Sequence, residues 1–306
     1  MQHQRGDDDM RTLLPILFLA ACTSPADDFR SVLPDDRLLL DTDGVSRQAR
    51  GSGEPSDNAV ETFGTAQGIN DLLGEVLGTI EEVTSYPPSW QATERVATWG
   101  PWTDNGIDGR LWVRERRDGS YGWAFEFRFE GEGDDLWQAP IAGEIDAGAS
   151  DAASTGSMVI DAVVFDTFAE DVGAQGYAAI EYAIDGEGAS GNLALDDFAE
   201  ESGDPLADAV MAWTTTEDDG GSLEFVAVSD VSEPQNGSAE TLAIYSRWLG
   251  DGTGRSDAAI TGGDAGDLTF YETDCWDAAL TTTFYENSYE LRREGDKASC
   301  AFADPE

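Results

Sequence analysis

From about residue 93 the chain alternates apolar and polar residues, and that period of two limits what it can fold into. The clearest stretch sets Tyr121, Trp123, Phe125, Phe127 and Phe129 on one face against Gly122, Ala124, Glu126, Arg128 and Glu130 on the other. Successive side chains of a strand point to opposite faces, so this is a strand with one buried side. Further strands are expected near 94–100, 109–117, 136–147, 156–165, 177–185, 190–196, 207–216, 222–230, 240–249, 255–262, 266–274 and 279–286. Between them lie short Gly/Asp turns such as Asp104-Asn105-Gly106, Asp118-Gly119 and Asp218-Asp219-Gly220-Gly221. Connections this short join antiparallel neighbours, because a parallel crossover needs a dozen or more residues. The expectation is one long meander. A sheet of more than about ten strands has to curl or close.

Residues 58–85 carry a different period. Ala59, Val60, Phe63, Ala66, Ile69, Leu72, Leu73, Val76, Leu77, Ile80 and Val83 recur in steps of three and four, which predicts an amphipathic helix. Asn58 with Glu61 three residues on is the expected cap, and Pro87-Pro88 the stop. Gly64/Gly68 and Gly74/Gly78 form two GxxxG pairs. Glu61, Asp71, Glu75 and Glu81 exclude a membrane span, so the glycines are read as close docking on a sheet. The expected fold class is therefore mainly β (α+β), with one N-terminal helix on a large curled antiparallel sheet or open barrel.

The N-terminus reads as an export signal. Leu13 to Ala21 is an apolar run of about nine residues behind Arg11, too short for the roughly 20 needed to span a bilayer. It ends in Leu19-Ala20-Ala21-Cys22, which resembles the lipobox of bacterial lipoproteins. The resemblance implies cleavage before Cys22 and a diacylglyceryl group on its thiol. Three aspartates at 7–9 sit where a signal should be basic, which is repaired if translation starts at Met10. Thr23 and Ser24 follow, with no Asp next to the cysteine, which favours an outer-membrane destination. The expected organisation is signal peptide 1–21, a lipidated flexible tether at 22–57 rich in Asp, Ser, Gly and Pro, and a single domain at 58–306. Within the tether only Leu38-Leu39-Leu40 stands out as apolar, a short segment that could dock.

With Cys22 lipidated, Cys275 and Cys300 remain, an even pair that reads as a disulfide in an exported protein. The tail Cys275-Trp276-Asp277, Phe284-Tyr285, Gly295-Asp296 and Cys300-Ala301-Phe302 resembles a group of uncharacterised bacterial lipoproteins ending in a CWD…C pattern. The resemblance implies no activity. Its structural reading is a disulfide clip with Trp276 packed over it.

Composition removes several function classes. There are 62 acidic against 17 basic residues, a formal net charge of −45. Nucleic acid needs a basic footprint and is not expected as a partner. The only histidine, His3, precedes Cys22, so triad catalysis and His-ligated zinc or haem are not expected in their usual forms. Asp104-Asn105-Gly106-Ile107-Asp108-Gly109 offers alternating oxygen ligands but lacks the closing Glu of a calcium loop, and reads as a hairpin turn. Asp196-Asp197 with Glu200-Glu201 could pair as glycosidase acids, though carboxylates are abundant enough here to meet by chance. No catalytic residue, cofactor or metal site is assigned.

A lipidated protein with one amphipathic helix on a many-stranded curled sheet is similar in architecture to the carriers and acceptors of the lipoprotein-sorting system, which hold acyl chains between helix and sheet. That likeness implies a non-catalytic binding module for an apolar ligand or envelope component, held to the membrane by its lipid. Candidate lining residues are Leu73, Val76, Leu77, Ile80, Trp123, Phe125 and Phe127. Two other readings stand beside it, a structural or adhesive surface lipoprotein with a sealed core and a carboxylate-based hydrolase.

The charge generates a test of its own. The Debye length falls from about 10 Å at 0.1 M salt to about 3 Å at 1 M. The melting temperature should therefore rise between about 0.1 and 1 M NaCl. A flat or falling scan would show that the carboxylates are already paired or metal-bound.

Overall fold

The computed structural model describes residues 25–40, 42, 55–93, 95–150, 152–168, 173–199, 207–216, 218, 220–229 and 237–305. Fifteen strands form one sheet in which every strand pairs antiparallel with its neighbours in sequence, β1 to β15 in order. They are β1 Trp90–Thr93, β2 Val96–Asp104, β3 Ile107–Glu115, β4 Tyr121–Phe129, β5 Gln138–Ile145, β6 Ser154–Asp161, β7 Gln175–Ile184 and β8 Ala189–Ala199. The second half is β9 Ala207–Thr215, β10 Gly221–Ser229, β11 Glu240–Trp248, β12 Gly254–Gly262, β13 Gly266–Trp276, β14 Thr282–Asn287 and β15 Arg293–Gly295. The expected meander is thus present, with two short strands at its edges that the period did not reveal. Strands of four and three residues offer little backbone for a second chain to pair with, which blunts the edges.

Turn chemistry sets the register where it can be followed. Asn105 and Gly106 both take positive φ (48° and 81°) and close β2 on β3 with Asp104 opposite Ile107. That is the hairpin turn, not a cation loop. Asp108 is spent on Thr103 and Arg128, at 2.7 and 3.1 Å.

The core lies on the sheet's concave face. One continuous cross-strand row there runs Ala97, Val113, Trp123, Gly143, Met158, Ile180, Leu193 and Met211. Glycine has a particular use in this face. Trp102, Trp123, Tyr182, Trp213, Trp248 and Trp276 each lie directly opposite a glycine: Gly109, Gly143, Gly156, Gly191, Gly221 and Gly254 respectively. A Cβ on Gly221 would come 2.6 Å from the Trp248 ring, and one on Gly109 2.7 Å from Trp102 Nε1. The missing side chain lets each ring lie across its neighbour strand, so large rings pave a surface that must also curve.

Helix α2 (Asp57–Thr84) covers this face as a chord. Its 28 residues span roughly 42 Å at 1.5 Å per residue. At its start Ser56 and Asn58 bond to Asp274 and Glu272 of β13, and beyond its end the Tyr86 carbonyl accepts from Trp99 Nε1 of β2 at 2.9 Å. The N-cap is Ser56, whose hydroxyl accepts from the Ala59 N–H at 3.0 Å; Asn58 instead reaches across to β13. The buried stripe is Ala59, Thr62, Ala66, Ile69, Leu73, Val76, Leu77, Ile80 and Thr84. The GxxxG reading is corrected. An added Cβ at Gly64, Gly68, Gly74 or Gly78 would meet nothing within 4 Å, so none of the four lies close to the sheet.

The apolar Leu38-Leu39-Leu40 segment docks as expected, but the tether reading fails for residues 25–37 before it. Residues 25–40 form α1 (Pro25–Arg30) and a 310 turn (Asp36–Leu38), and bury Phe29, Val32, Leu33, Leu38 and Leu40 in the main core. Trp213 Nε1 donates to the Leu38 carbonyl at 3.1 Å, and the Asn70 side chain pairs with both backbone groups of Leu40 at 2.8 Å. Acids separate these apolar residues in sequence, so composition made the stretch look solvated. The expected strand at 156–165 stops at Asp161, whose carboxylate caps the short helix α3 (Ala162–Asp166) by accepting from Val164 N.

Cys275 and Cys300 are disulfide-bonded. Trp276 does not pack over the bond. Consecutive strand residues face opposite ways, and Trp276 turns to the helix side against Ala59 and Leu280. The tail after Cys300 is instead held by Arg255, which donates to the Phe302 carbonyl at 3.1 Å and to Asp304 at 2.8 Å.

Two glycine substitutions separate the roles of this residue in sheet and helix. Gly191→Ala sets a methyl into the Trp213 ring and should cost about 1–3 kcal/mol by overpacking. Gly68→Ala meets open space on an exposed helix face and should stabilise by about 1 kcal/mol. Denaturant titration of both variants reads the two signs.

Candidate functional site

A helix about 10–12 Å across cannot cover a wide concave sheet by itself, and the two flanks of α2 are treated differently. Residues 29–40 pack along one flank. Along the other an apolar cleft of about 410 Å³ lies between α2 and strands β4–β8. The helix contributes Leu72, Val76 and Thr79, with Asp71 and Glu75 at the mouth. Phe125, Phe127, Ile141, Ile160 and Phe198 form the sheet wall, and Ala162 and Phe165 of α3 close one end. Such a volume with a mainly apolar lining falls within the roughly 300–1,000 Å³ of small-ligand sites.

The expected lining divides. Val76, Phe125 and Phe127 do face the cleft. Leu73 and Trp123 are sealed in the core at 0% and 1% exposure. Leu77 and Ile80, also buried, border a separate crevice of about 830 Å³ between the end of α2 and residues 30–39. Helical and strand periods identify which residues turn inward. They do not say which inward residues meet another side chain and which meet a gap. Ile141 and Ile160 were legible as inward strand residues; Phe165 and Phe198 were not, because they depend on α3 and on the irregular end of β8.

Beside the cleft is a smaller cavity of about 220 Å³, lined by Trp102, Ile107, Phe127, Phe165 and Phe168 with Asp104 at its edge. Phe127 and Phe165 belong to both spaces.

The remaining concentration of functional groups anchors α2. Asp274, only 2% exposed, accepts from Ser56 Oγ at 2.5 Å. Glu272 accepts from Asn58, Tyr285 and Tyr289 at 2.8, 2.8 and 2.6 Å. Thr62 and Ser246 share a hydrogen bond of 2.6 Å between helix and β11. The two carboxylates are engaged in holding the helix start on β13, and Asp274 is closed to solvent. Of the other acid pair, Asp196 and Asp197 lie on β8, while Glu200 and Glu201 fall outside the described residues, as does Cys22. Among the described residues no group of three or more His, Cys, Asp or Glu is placed to hold a metal, and no helix is long and apolar enough to cross a membrane.

Burial pushes the Asp274 carboxyl up to about 6, against the opposing pull of the Ser56 hydrogen bond. A pKa raised by folding means the folded state binds the proton more tightly than the unfolded one. Asp274 therefore adds stability below its unfolded value near 4, and that stability is lost as pH rises through about 6. Buried Asp108 and the exposed Asp118, Glu144, Glu294 and Asp304 are lowered by their hydrogen bonds and ion pairs, and act only at more acid pH. Stability contributed by Asp274 should fall between about pH 4 and 6.5, and Asp274→Asn should remove up to roughly 3 kcal/mol of that fall. Parallel pH–denaturation surfaces of the two proteins check it, and identical slopes would show the carboxylate to be hydrated.

The chain matches no protein-family model, and no curated protein or solved structure is detectably similar to it.

Proposed function

We propose that this chain is a lipid-anchored extracytoplasmic binding protein that holds an alkyl chain in the cleft beside α2 and does no chemistry on it. The observation that carries the reading is the cleft itself, about 410 Å³ of mainly apolar space between α2 and the sheet; the larger crevice on the other flank carries Arg30, Asp35, Asp36, Arg37 and Glu81 in its lining. An apolar hollow of this size loses packing contacts along its walls, and an alkyl ligand would restore them. The lipobox at Leu19–Cys22 supplies the membrane attachment, and the absence of histidine after it removes the usual nucleophile–base pairs. The outer membrane is the expected address, and an apolar ligand or envelope component the expected partner.

Two experiments test the halves separately. Cys22→Ser in a bacterial host should abolish labelling by a fatty-acid probe; persistent labelling would end the anchor assignment. For the cleft, an alkyl fluorophore should bind the soluble domain and be displaced when Ile160→Trp fills the space. That variant should cost little stability, because its added volume enters a gap. Leu77→Ala, buried on the opposite flank of α2 and outside the cleft, should cost about 2–5 kcal/mol and leave probe binding in the cleft in place. If no probe binds the parent protein, the sealed-core structural reading replaces this one.

A further inference from the structure

The smaller cavity adjoins the cleft, sharing Phe127 and Phe165 with it, and the two spaces differ in chemistry. The cleft is walled mainly by aliphatic and phenyl groups, whereas the smaller cavity is an aromatic box. Trp102 lies across Gly109, which has no side chain to lift it, and lines the box. Phe168 stands 5.9 Å from Phe127, centroid to centroid, at 42°. It is carried on the turn after α3, where its N–H donates to the Phe165 carbonyl at 3.0 Å. Asp166 braces that turn by accepting from the Gly173 N–H at 2.7 Å.

Charge points the same way. Asp104 is the only charged residue among the described lining of the box, and the charged residues lining the cleft are Asp71 and Glu75. No described lining residue of either space is basic. A carboxylate or phosphate head would enter with no counter-charge and three acids nearby. A primary ammonium carries three N–H donors, and the box offers one carboxylate to receive them. A quaternary ammonium has no donor to satisfy, and aromatic faces attract it through their quadrupoles.

We propose that the Trp102–Phe127–Phe165–Phe168 box, with Asp104 at its edge, binds the quaternary ammonium head of an amphiphile whose alkyl chain lies in the adjoining cleft. The proposal rests on the cleft being an alkyl site, and it names which amphiphiles the site selects.

The test compares ligands of one chain length and different heads, followed by calorimetry below their micelle concentrations. They are an alkyltrimethylammonium, its uncharged tert-butyl isostere, and the fatty acid. Working in about 1 M NaCl, where the screening length is about 3 Å, removes diffuse attraction to the acidic surface. The cation should bind about tenfold more tightly than the isostere, and the fatty acid more weakly than either. Trp102→Leu should bring cation and isostere to within about twofold of each other without weakening the isostere. Asp104→Asn, on an exposed turn, should cut the preference and serves if the tryptophan variant does not fold. Tetramethylammonium alone should compete with the cationic amphiphile. Equal binding of cation and isostere would overturn the head-group assignment and leave the cleft reading intact. If none of the three binds, both fall.

Discussion

One helix has to cover the apolar concave face of a fifteen-strand sheet, and the rest of the structure follows from how it does so. Helix α2 runs as a chord from β13 to β2, fixed at its start by Ser56 and Asn58 on two carboxylates and tied at its end through Trp99. A single helix is narrower than the surface beneath it, so both flanks need an answer. Residues 29–40 pack along one, leaving a polar-rimmed crevice at the end of the helix. The other is left as the cleft, and the candidate site exists because the cover is incomplete.

The anchor at the helix start is held at some cost. Asp274 is nearly closed to solvent, and burial disfavours its charge. Ser56 must both cap α2, accepting from Ala59, and donate to Asp274. That double use ties helix initiation to docking, because a helix starting one residue earlier or later would lose the contact with β13. A packed apolar pair would hold the same two elements with less penalty but would leave the helix free to slide, since apolar contacts are not directional. The disulfide and Arg255 do the corresponding work for the tail after Cys300.

Much of the scaffold was legible in the sequence because its signals are local. Alternation located thirteen of the strands in outline, and the Asn105-Gly106 turn fixed a hairpin through its two positive φ values. Three-four spacing found α2 and its inward stripe. Where local signals conflicted with tertiary demands, tertiary structure won. Ala162-Val163-Val164-Phe165 has β-branched residues suited to a strand, yet Asp161 caps a helical turn there. The helix glycines read as a docking seam and turned out to face open space; six glycines that do serve close approach lie in the strands opposite aromatic rings.

Periodicity, turn chemistry and the cysteine pair determined by themselves that this chain is a long antiparallel meander with a helix against it and a tail clipped by a disulfide. Each of those signals acts between residues a few positions apart, or, for the disulfide, between the two cysteines of the tail. The site was decided by tertiary structure alone. Leu73 and Val76 have the same apolar character on the same helix stripe, yet one is sealed and the other faces the cleft. What separates them is whether a distant segment, 29–40 or the wall of β4–β8, fills the space above. Filling depends on the volumes of groups brought together from across the chain, which no local pattern records.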